Sequence, residues 1–170
     1  MTADVDLLAG RVHAELLDRG ATVAVAESLT GGLLGAALTS TPGSSTTFRG
    51  GLVVYATELK ETLAGVPGPL LDAEGPVSAS VAAALAGGAR DRLAATYGVG
   101  VTGVAGPDPQ DGQPVGTVYV AIAGPGEGAL RALHFGGDRA EVRAAAVAAA
   151  LDLLLAVLSR DGNAAASTSV

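Results

Sequence analysis

The sequence of 170 residues contains no cysteine, which excludes disulfides, thiolate metal sites and a cysteine nucleophile. Tryptophan is absent and aromatic residues make up only 3%, so alanine, valine and leucine must fill the core. Basic residues are scarce, since 10 Lys and Arg stand against 17 Asp and Glu and give a net charge of −7. This balance argues against a nucleic-acid partner, because neutralisation of phosphates supplies most of the affinity for nucleic acids.

A membrane-spanning run and a secretory signal are missing as well. The apolar run over residues 144–158 is interrupted by Asp152 and is shorter than the ~20 residues that a spanning helix needs. The first ten residues carry Asp4 and Asp6 and lack the basic start of a signal peptide. We therefore expect a cytoplasmic protein that has no membrane partner.

Strand-like and helical patterns alternate along the chain. Short apolar runs predict strands at residues 21–26, 52–55, 99–102, 115–123 and 129–135, while residues 41–51 look like a loop. The early strands are separated by helical patterns, which favours parallel pairing, and the last two form a hairpin that adds an antiparallel strand. The sequence thus predicts an α/β fold, a three-layer α/β/α sandwich on a mixed, mostly parallel sheet. It forms one domain over residues 1–158, and the small polar residues 159–170 predict a disordered tail.

One serine stands where such sheets bind ligands, beyond the carboxyl end of a strand. Ser28 follows the first strand and precedes Leu29, Thr30 and the pair Gly31-Gly32, which open a helical run. This arrangement puts a hydroxyl beside the unpaired N–H groups of a helix N-terminus, which can bind an anion or a developing oxyanion. The same pattern also fits a plain helix cap made by Ser28 or Thr30.

A serine nucleophile needs a base, and the sequence has few candidates. His13 lies on the first helix and His134 lies late in the last strand, so no Ser-His-Asp set is evident. Lys60 is the only lysine, and burial would lower its pKa towards that of a base, which an arginine could not become. With Tyr55 one strand end away as a proton relay or positioner, a Ser28–Lys60 pair fits amide hydrolysis without metal.

Acidic loop residues raise the question of a metal. Asp108 and Asp111 have no His or Glu at ligand spacing, so we interpret them as solvated loop residues and expect neither a metal nor a cofactor.

Six segments follow one another in an order that resembles a known family. They are AESLTGGLLGAALT (26–39), PGSSTTFRGGLVVYATELK (42–60), GVPGPLLDAEGPVS (65–78), VTGVAGP (101–107), PVGTVYVA (114–121) and GDRAEVR (137–143). The chain resembles the C-terminal domain of the CinA family, whose stand-alone members are nicotinamide-nucleotide amidases of the PncC type. The likeness covers nearly the whole chain.

The resemblance implies deamidation of nicotinamide mononucleotide to nicotinic acid mononucleotide and ammonia, in pyridine-nucleotide recycling. It implies a serine–lysine mechanism with Ser28 as nucleophile, Lys60 as base and Tyr55 as their catalytic partner. The residues expected to contact the nucleotide substrate are Thr30, Gly31, Gly32, Ser44, Ser45, Thr57, Thr102, Gly103 and Arg139.

Two departures from the family pattern keep other functions open. Leu29 replaces the usual Cys after the serine, and Ala56-Thr57 replaces the usual Ser-Asn after the tyrosine. One alternative is a catalytically weak or inactive nucleotide-binding or interaction module linked to competence or DNA damage. Another is hydrolysis of a different small amide. The alanine-rich surface is also compatible with a homo-oligomer formed through helices.

Overall fold

The computed structural model describes residues 3–168 of the chain, and side chains from residue 4 to residue 164. The helices within this part are α1 (Ala3–Asp18), α2 (Leu33–Thr39), α3 (Thr57–Thr62), α4 (Gly68–Glu74), α5 (Ala79–Arg92) and α6 (Arg139–Thr168). The strands are β1 (Val23–Glu27), β2 (Phe48–Val53), β3 (Tyr97–Gly103), β4 (Thr117–Ala123) and β5 (Ala129–His134).

The five strands form one sheet in the order β2-β1-β3-β4-β5. Strand β1 pairs in parallel with β2 and β3, whereas β4 is antiparallel to both of its neighbours. Four strands therefore run in one direction and β4 runs in the other. This arrangement confirms the predicted α/β fold on a mixed, mostly parallel sheet.

Helices cover both faces of the sheet, because the side chains of the central strands alternate between two apolar layers. Val23 and Val25 of β1 belong to a core shared with α1, α2 and α6. Ala24 and Ala26 belong to a second core shared with α5 and the segment after α3. The predicted three-layer sandwich follows directly from this alternation.

Glycines on β3 let α5 lie very close to the sheet. A Cβ atom on Gly100 would lie 2.2 Å from the carbonyl oxygen of Ala82, and one on Gly98 would lie 2.0 Å from that of Ala86. Their neighbours Val99 and Val101 pack into the core on the opposite face. The sequence Tyr-Gly-Val-Gly-Val therefore places small residues beneath α5 and branched residues beneath α6.

Two parts of the chain are more regular than the sequence predicts. Residues 41–51, expected to form a loop, contain a short 3₁₀ turn at Ser44–Thr46 and the start of β2 at Phe48. Strand β2 lies at the sheet edge and is only half-buried, so its apolar pattern is weak.

The predicted disordered tail is wrong for residues 159–168, since α6 continues to Thr168. Alanine favours helix, and the hydroxyl of Tyr97 donates to Asp161 at 3.0 Å, which ties this end of the helix to β3. Residues 169–170 lie outside the described part.

The stretch Arg139–Ala164 of α6 is long and apolar enough to cross a membrane by length and composition. However, 56% of its most apolar window is buried inside the fold, where Leu151 and Leu154 belong to the core beneath the sheet. These features are typical of the core helix of an α/β domain.

Candidate active site

Ser28 and Lys60 meet at the carboxyl ends of the parallel strands. Ser28 directly follows β1, and Lys60 lies on α3, which follows β2. Lys60 Nζ donates to Ser28 Oγ at 3.1 Å and to the carbonyl oxygen of Val54 at 2.8 Å. Lys60 is 1% exposed and Ser28 is 8% exposed, so the pair is enclosed by protein.

Burial changes the acid–base behaviour of Lys60. Desolvation lowers the pKa of Lys60 from its ordinary value of 10.5 to about 8, while the nearby carboxylate of Glu58 acts in the opposite direction. The amine is therefore about one-tenth neutral at pH 7 and about half neutral at pH 8. A neutral amine can accept a proton from the serine hydroxyl, whereas an ammonium cannot.

A cavity of about 90 Å³ opens over the pair. Its lining includes Ser28, Leu29, Tyr55, Lys60, Pro76, Val77, Gly103, Val104, Ala105, Gly106, Asp108, Gln110 and Arg139. Pockets for whole drug-sized ligands usually have volumes of roughly 300–1,000 Å³. The cavity is thus suited to the reacting group of a substrate, while the remainder of a larger molecule would lie along its rim.

Arg139 closes one side of this rim. Its guanidinium donates to the hydroxyl of Tyr55 at 2.9 Å and to the carbonyl oxygen of Gly106 at 2.6 Å. The Tyr55 side chain is 59% exposed. Among the described hydrogen bonds, the Tyr55 hydroxyl contacts Arg139 and neither Ser28 nor Lys60. The structure therefore places Tyr55 at the rim as a neighbour of Arg139, and not as a relay between the two enclosed residues.

Glu27 occupies the N-terminus of α2, which changes the expected role of the glycine turn. Its buried carboxylate accepts from the N–H groups of Gly32 and Leu34 at 3.0 Å and from that of Gly35 at 2.8 Å. The N–H of Gly31 donates to the carbonyl oxygen of Ser28 at 3.1 Å. The N–H groups of Gly31 and Gly32 are therefore engaged within the protein, and neither glycine lines the cavity.

Three further predicted residues lie near the site in different ways. Thr30 is fully buried, and its Oγ1 has no hydrogen-bond partner within the described part. The hydroxyl of Thr102, also fully buried, donates to the carbonyl oxygen of Pro76 at 2.7 Å and so fixes one wall of the cavity. Gly103 lines the cavity, and a Cβ atom there would lie 2.5 Å from the carbonyl oxygen of Thr117.

The structure does not bring the other predicted residues to the cavity. Ser44 and Ser45 lie just before β2, at the opposite end of the sheet from Ser28. Thr57 is the exposed first residue of α3 and does not cap it, because the N-cap position belongs to Ala56. The segment 42–60 runs along the whole of β2, so its first residues lie at one end of the sheet and Lys60 lies at the other.

Sequence reasoning missed one side chain that contacts the serine turn. Arg143 on α6 donates from Nε to the carbonyl oxygen of Leu29 and from Nη2 to that of Thr30, both at 2.9 Å. It lies four residues after Arg139, one helical turn further along α6, so spacing on the helix was the signal that could have found it. Within residues 3–168, no group of three His, Asp or Glu side chains is placed to hold a metal ion.

The fold and the site define an α/β/α domain with an enclosed serine–lysine pair beyond the carboxyl ends of its parallel strands. The chain belongs to the CinA family, since residues 5–158 match the model of the CinA C-terminal domain. It is 51% identical over 164 residues to a CinA-like protein of Frankia casuarinae, covering 96% of this chain and 38% of that protein. A CinA-like protein of Acidobacterium capsulatum is 45% identical over 171 residues, covering 88% of this chain and 41% of that protein. The chain thus spans about two fifths of the length of these relatives.

Solved structures agree with the fold along nearly their whole length. The competence/damage inducible protein CihA from Agrobacterium tumefaciens superposes with a TM-score of 0.89 at 36% identity, covering 94% of this chain and 98% of that one. A CinA superfamily protein from Klebsiella pneumoniae superposes with a TM-score of 0.88 at 30% identity, covering 92% and 98%.

Proposed function

We propose that this chain is an amidohydrolase that converts nicotinamide mononucleotide to nicotinic acid mononucleotide and ammonia, as a step of pyridine-nucleotide recycling. The observation that carries the proposal is the 3.1 Å contact between Lys60 Nζ and Ser28 Oγ inside an enclosed site. A serine hydroxyl next to an amine whose pKa is lowered by burial supplies the nucleophile and the base that metal-free acyl transfer requires.

The first half of the reaction forms an acyl-enzyme. Neutral Lys60 accepts the proton of Ser28 Oγ as that oxygen attacks the carboxamide carbon of the substrate. The tetrahedral intermediate then expels its amino group, which takes the proton from the Lys60 ammonium and leaves as ammonia. The pyridine carbonyl remains bound to Ser28 as an ester.

Water completes the cycle. Lys60 accepts a proton from the attacking water, the ester bond breaks, and Lys60 returns a proton to Ser28 Oγ. The product acid releases its remaining proton to solvent and leaves as the carboxylate of nicotinic acid mononucleotide, which regenerates free enzyme. The oxyanion of each tetrahedral intermediate needs nearby donors, and the N–H of Leu29, a residue that lines the cavity, is the first candidate on the serine turn.

The charges at the cavity suit a substrate that carries both signs. Nicotinamide mononucleotide has a cationic pyridinium ring and an anionic phosphate. Arg139 and Asp108 both line the cavity, so a guanidinium and a carboxylate are available at one mouth. Arginine binds phosphate oxygens through a planar fork. The Arg139 N–H groups face the exposed Tyr55 hydroxyl, so a phosphate can reach them and replace this hydroxyl as the acceptor.

The departure from the family pattern at Thr57 does not weigh against activity. The Thr57 side chain is exposed and lies outside the cavity lining, whereas Leu29 supplies an apolar wall. These positions favour an active amidase over a binding module without catalysis.

The test is ammonia release by the purified protein from nicotinamide mononucleotide, with and without a metal chelator, and with chromatography of the nucleotide product. We expect equal amounts of ammonia and nicotinic acid mononucleotide in both conditions, and slower release from free nicotinamide and from aliphatic amides. Absence of ammonia with saturable binding of the nucleotide would overturn the amidase in favour of the binding module. Faster release from another amide would overturn the proposed substrate.

A further inference from the structure

We propose that Arg143 is a positioning residue, which orients the peptide groups after Ser28 and thereby the N–H donors that receive the oxyanion. This inference rests on the proposed acyl-transfer function and identifies a residue that the mechanism above does not use.

The first observation is how Arg143 contacts the serine turn. Nε and Nη2 of its guanidinium each donate at 2.9 Å, to the carbonyl oxygens of Leu29 and Thr30, two successive peptide groups. A planar guanidinium holds two acceptors in a fixed relative geometry, which a lysine cannot do. Arg143 therefore fixes the orientation of both peptide planes at once.

These contacts also set the directions of the N–H groups in the same turn. In a trans peptide the C=O and N–H bonds point in opposite directions, so holding the Leu29 oxygen on the α6 side turns the Thr30 N–H away from α6. The carbonyl of Ser28 and the N–H of Leu29 belong to one peptide group. This group is fixed as well, because the Ser28 oxygen accepts from the N–H of Gly31. Neither the Leu29 nor the Thr30 N–H has an acceptor among the described hydrogen bonds, and of these two residues Leu29 lines the cavity while Thr30 lies buried behind it. Successive unpaired N–H groups form a small concave site for an anion.

The N-terminus of α2 does not supply donors for the oxyanion. The Glu27 carboxylate accepts three N–H groups at the N-terminus of α2, so this helix end has no free donors for a substrate. On this side of the cavity the candidate donors therefore lie on the short turn between Ser28 and Gly31. Glu27 fixes the residues that follow this turn, from Gly32 to Gly35, and Arg143 fixes the turn itself.

Arg143 is distinct from Arg139 in what its donors contact. The donors of Arg139 face the exposed rim and an exposed tyrosine, whereas the named donors of Arg143 contact only main-chain oxygens of the serine turn. A Cβ atom on Gly31, whose φ is +58°, would lie 3.3 Å from Nη2 of Arg143, so a glycine there leaves the guanidinium room to approach. We therefore expect loss of Arg143 to reduce catalysis and to leave substrate affinity nearly unchanged.

The kinetic test compares Arg143→Ala and Arg143→Lys with the wild type and with Arg131→Gln. Arg131 pairs with Asp152 on the surface at 2.6 Å and is the matched control for loss of an arginine. We expect both Arg143 variants to lower kcat on nicotinamide mononucleotide by about 10²–10³-fold, the usual effect of impaired oxyanion donors, while KM changes by about twofold or less. Added guanidinium should partly restore Arg143→Ala. A kcat within about threefold of wild type in both folded variants, or a loss confined to KM, would overturn the proposal.

A second test does not depend on the substrate. A fluorophosphonate transfers its phosphonyl group to Ser28 Oγ, with loss of fluoride and of the serine proton, and its P=O oxygen occupies the oxyanion position. We expect Arg143→Ala to label more slowly than wild type, with recovery in guanidinium, and Ser28→Ala not to label.

The two tests separate this inference from the proposed function. The protein could release no ammonia and still be labelled at a rate that depends on Arg143. That result would support the positioning role and overturn the proposed substrate. Equal labelling rates in wild type and folded Arg143 variants would overturn the positioning role whatever the substrate. A wild type that neither labels nor releases ammonia would contradict both. Arg143→Lys serves as the second variant should Arg143→Ala fail to fold.

Discussion

The amine of Lys60 lies 3.1 Å from the hydroxyl of Ser28, although 32 residues separate them in sequence. Two parallel neighbouring strands bring them together, since Ser28 follows β1 and Lys60 follows β2. The carbonyl oxygen of Val54 holds the amine at 2.8 Å, so Lys60 has a fixed direction before any substrate binds.

Removal of either partner should abolish turnover. We expect Ser28→Ala and Lys60→Ala each to reduce kcat for ammonia release by at least ~10³-fold, since each removes the proposed nucleophile or its proposed base. Ser40→Ala is the control, because Ser40 is exposed and bonds to the carbonyl oxygen of Ala37 at the end of α2. A double variant should be about as slow as either single variant. Substantial turnover in Ser28→Ala would exclude a covalent serine mechanism.

The pH profile should follow the protonation of Lys60. Burial lowers the pKa of Lys60 to about 8, and only the neutral amine accepts the serine proton. We expect kcat/KM to rise about tenfold per pH unit below pH 7.5 and to level off above pH 8.5. Steady-state rates between pH 6 and 10 measure this profile. A rate that falls as pH rises through 8 would contradict a neutral lysine base.

Holding Lys60 in the fold should cost stability at neutral pH. Because its folded pKa lies below the ordinary value of 10.5, the unfolded chain binds more protons between pH 8 and 10.5, and stability rises with pH across that window. We expect Lys60→Met to be more stable than wild type at pH 7, since methionine removes the buried charge and keeps the volume. The difference in free energy of unfolding between this variant and wild type should shrink by on the order of 2 kcal/mol from pH 7 to pH 9.5. Urea unfolding at both pH values measures it, and an advantage independent of pH would contradict the assigned cause.

The positions of the central residues of the site could be predicted because local sequence patterns indicated where each strand ends. A buried strand followed by Ser28 and glycines, and a single lysine after the next strand, placed both residues at one sheet edge. The structure agrees with this placement to hydrogen-bond distance. The mixed sheet was predictable for the same reason, since helices separated the early strands and a short turn joined the last two.

Long-range hydrogen bonds could not be predicted from such patterns. The contact of Arg143 with Leu29 spans 114 residues, and the helical spacing from Arg139 indicates a shared helix face but not the partner of Arg143. Ser44 and Ser45 lay in a matching motif, yet β2 carries them to the far end of the sheet. The capping role of Glu27 was hidden too, because a buried acid at a strand end is indistinguishable by type from an exposed one.

Arg139 should act on substrate binding through the phosphate. We expect Arg139→Gln to lower kcat/KM for nicotinamide mononucleotide by about 10–100-fold, the value of one charge-assisted hydrogen bond, mostly through KM. The same variant should change little with nicotinamide riboside, which lacks the phosphate. Steady-state kinetics with both substrates, beside Arg131→Gln as control, measure the difference. Equal losses on both substrates would show that Arg139 acts by holding Tyr55 or Gly106 and not by binding phosphate.

Two adjacent glycines of α5 should respond in opposite ways to alanine. A Cβ atom on Gly88 would lie 1.7 Å from the carbonyl oxygen of Ala64, whereas one on Gly87 has nothing within 4 Å. Ala64 follows the helix that carries Lys60, so we expect the close contact between α5 and Ala64 to help position that helix.

We therefore expect Gly88→Ala to lower the free energy of unfolding by about 3 kcal/mol, because overpacking forces the backbone apart, and to reduce ammonia release in the molecules that remain folded. Gly87→Ala should be neutral or stabilising by up to ~1 kcal/mol, since alanine favours the helix. Urea unfolding and activity assays on both variants make the comparison. Equal stability of the two would mean that the close contact between α5 and Ala64 does not position α3, and that Lys60 is held in place by its own hydrogen bonds alone.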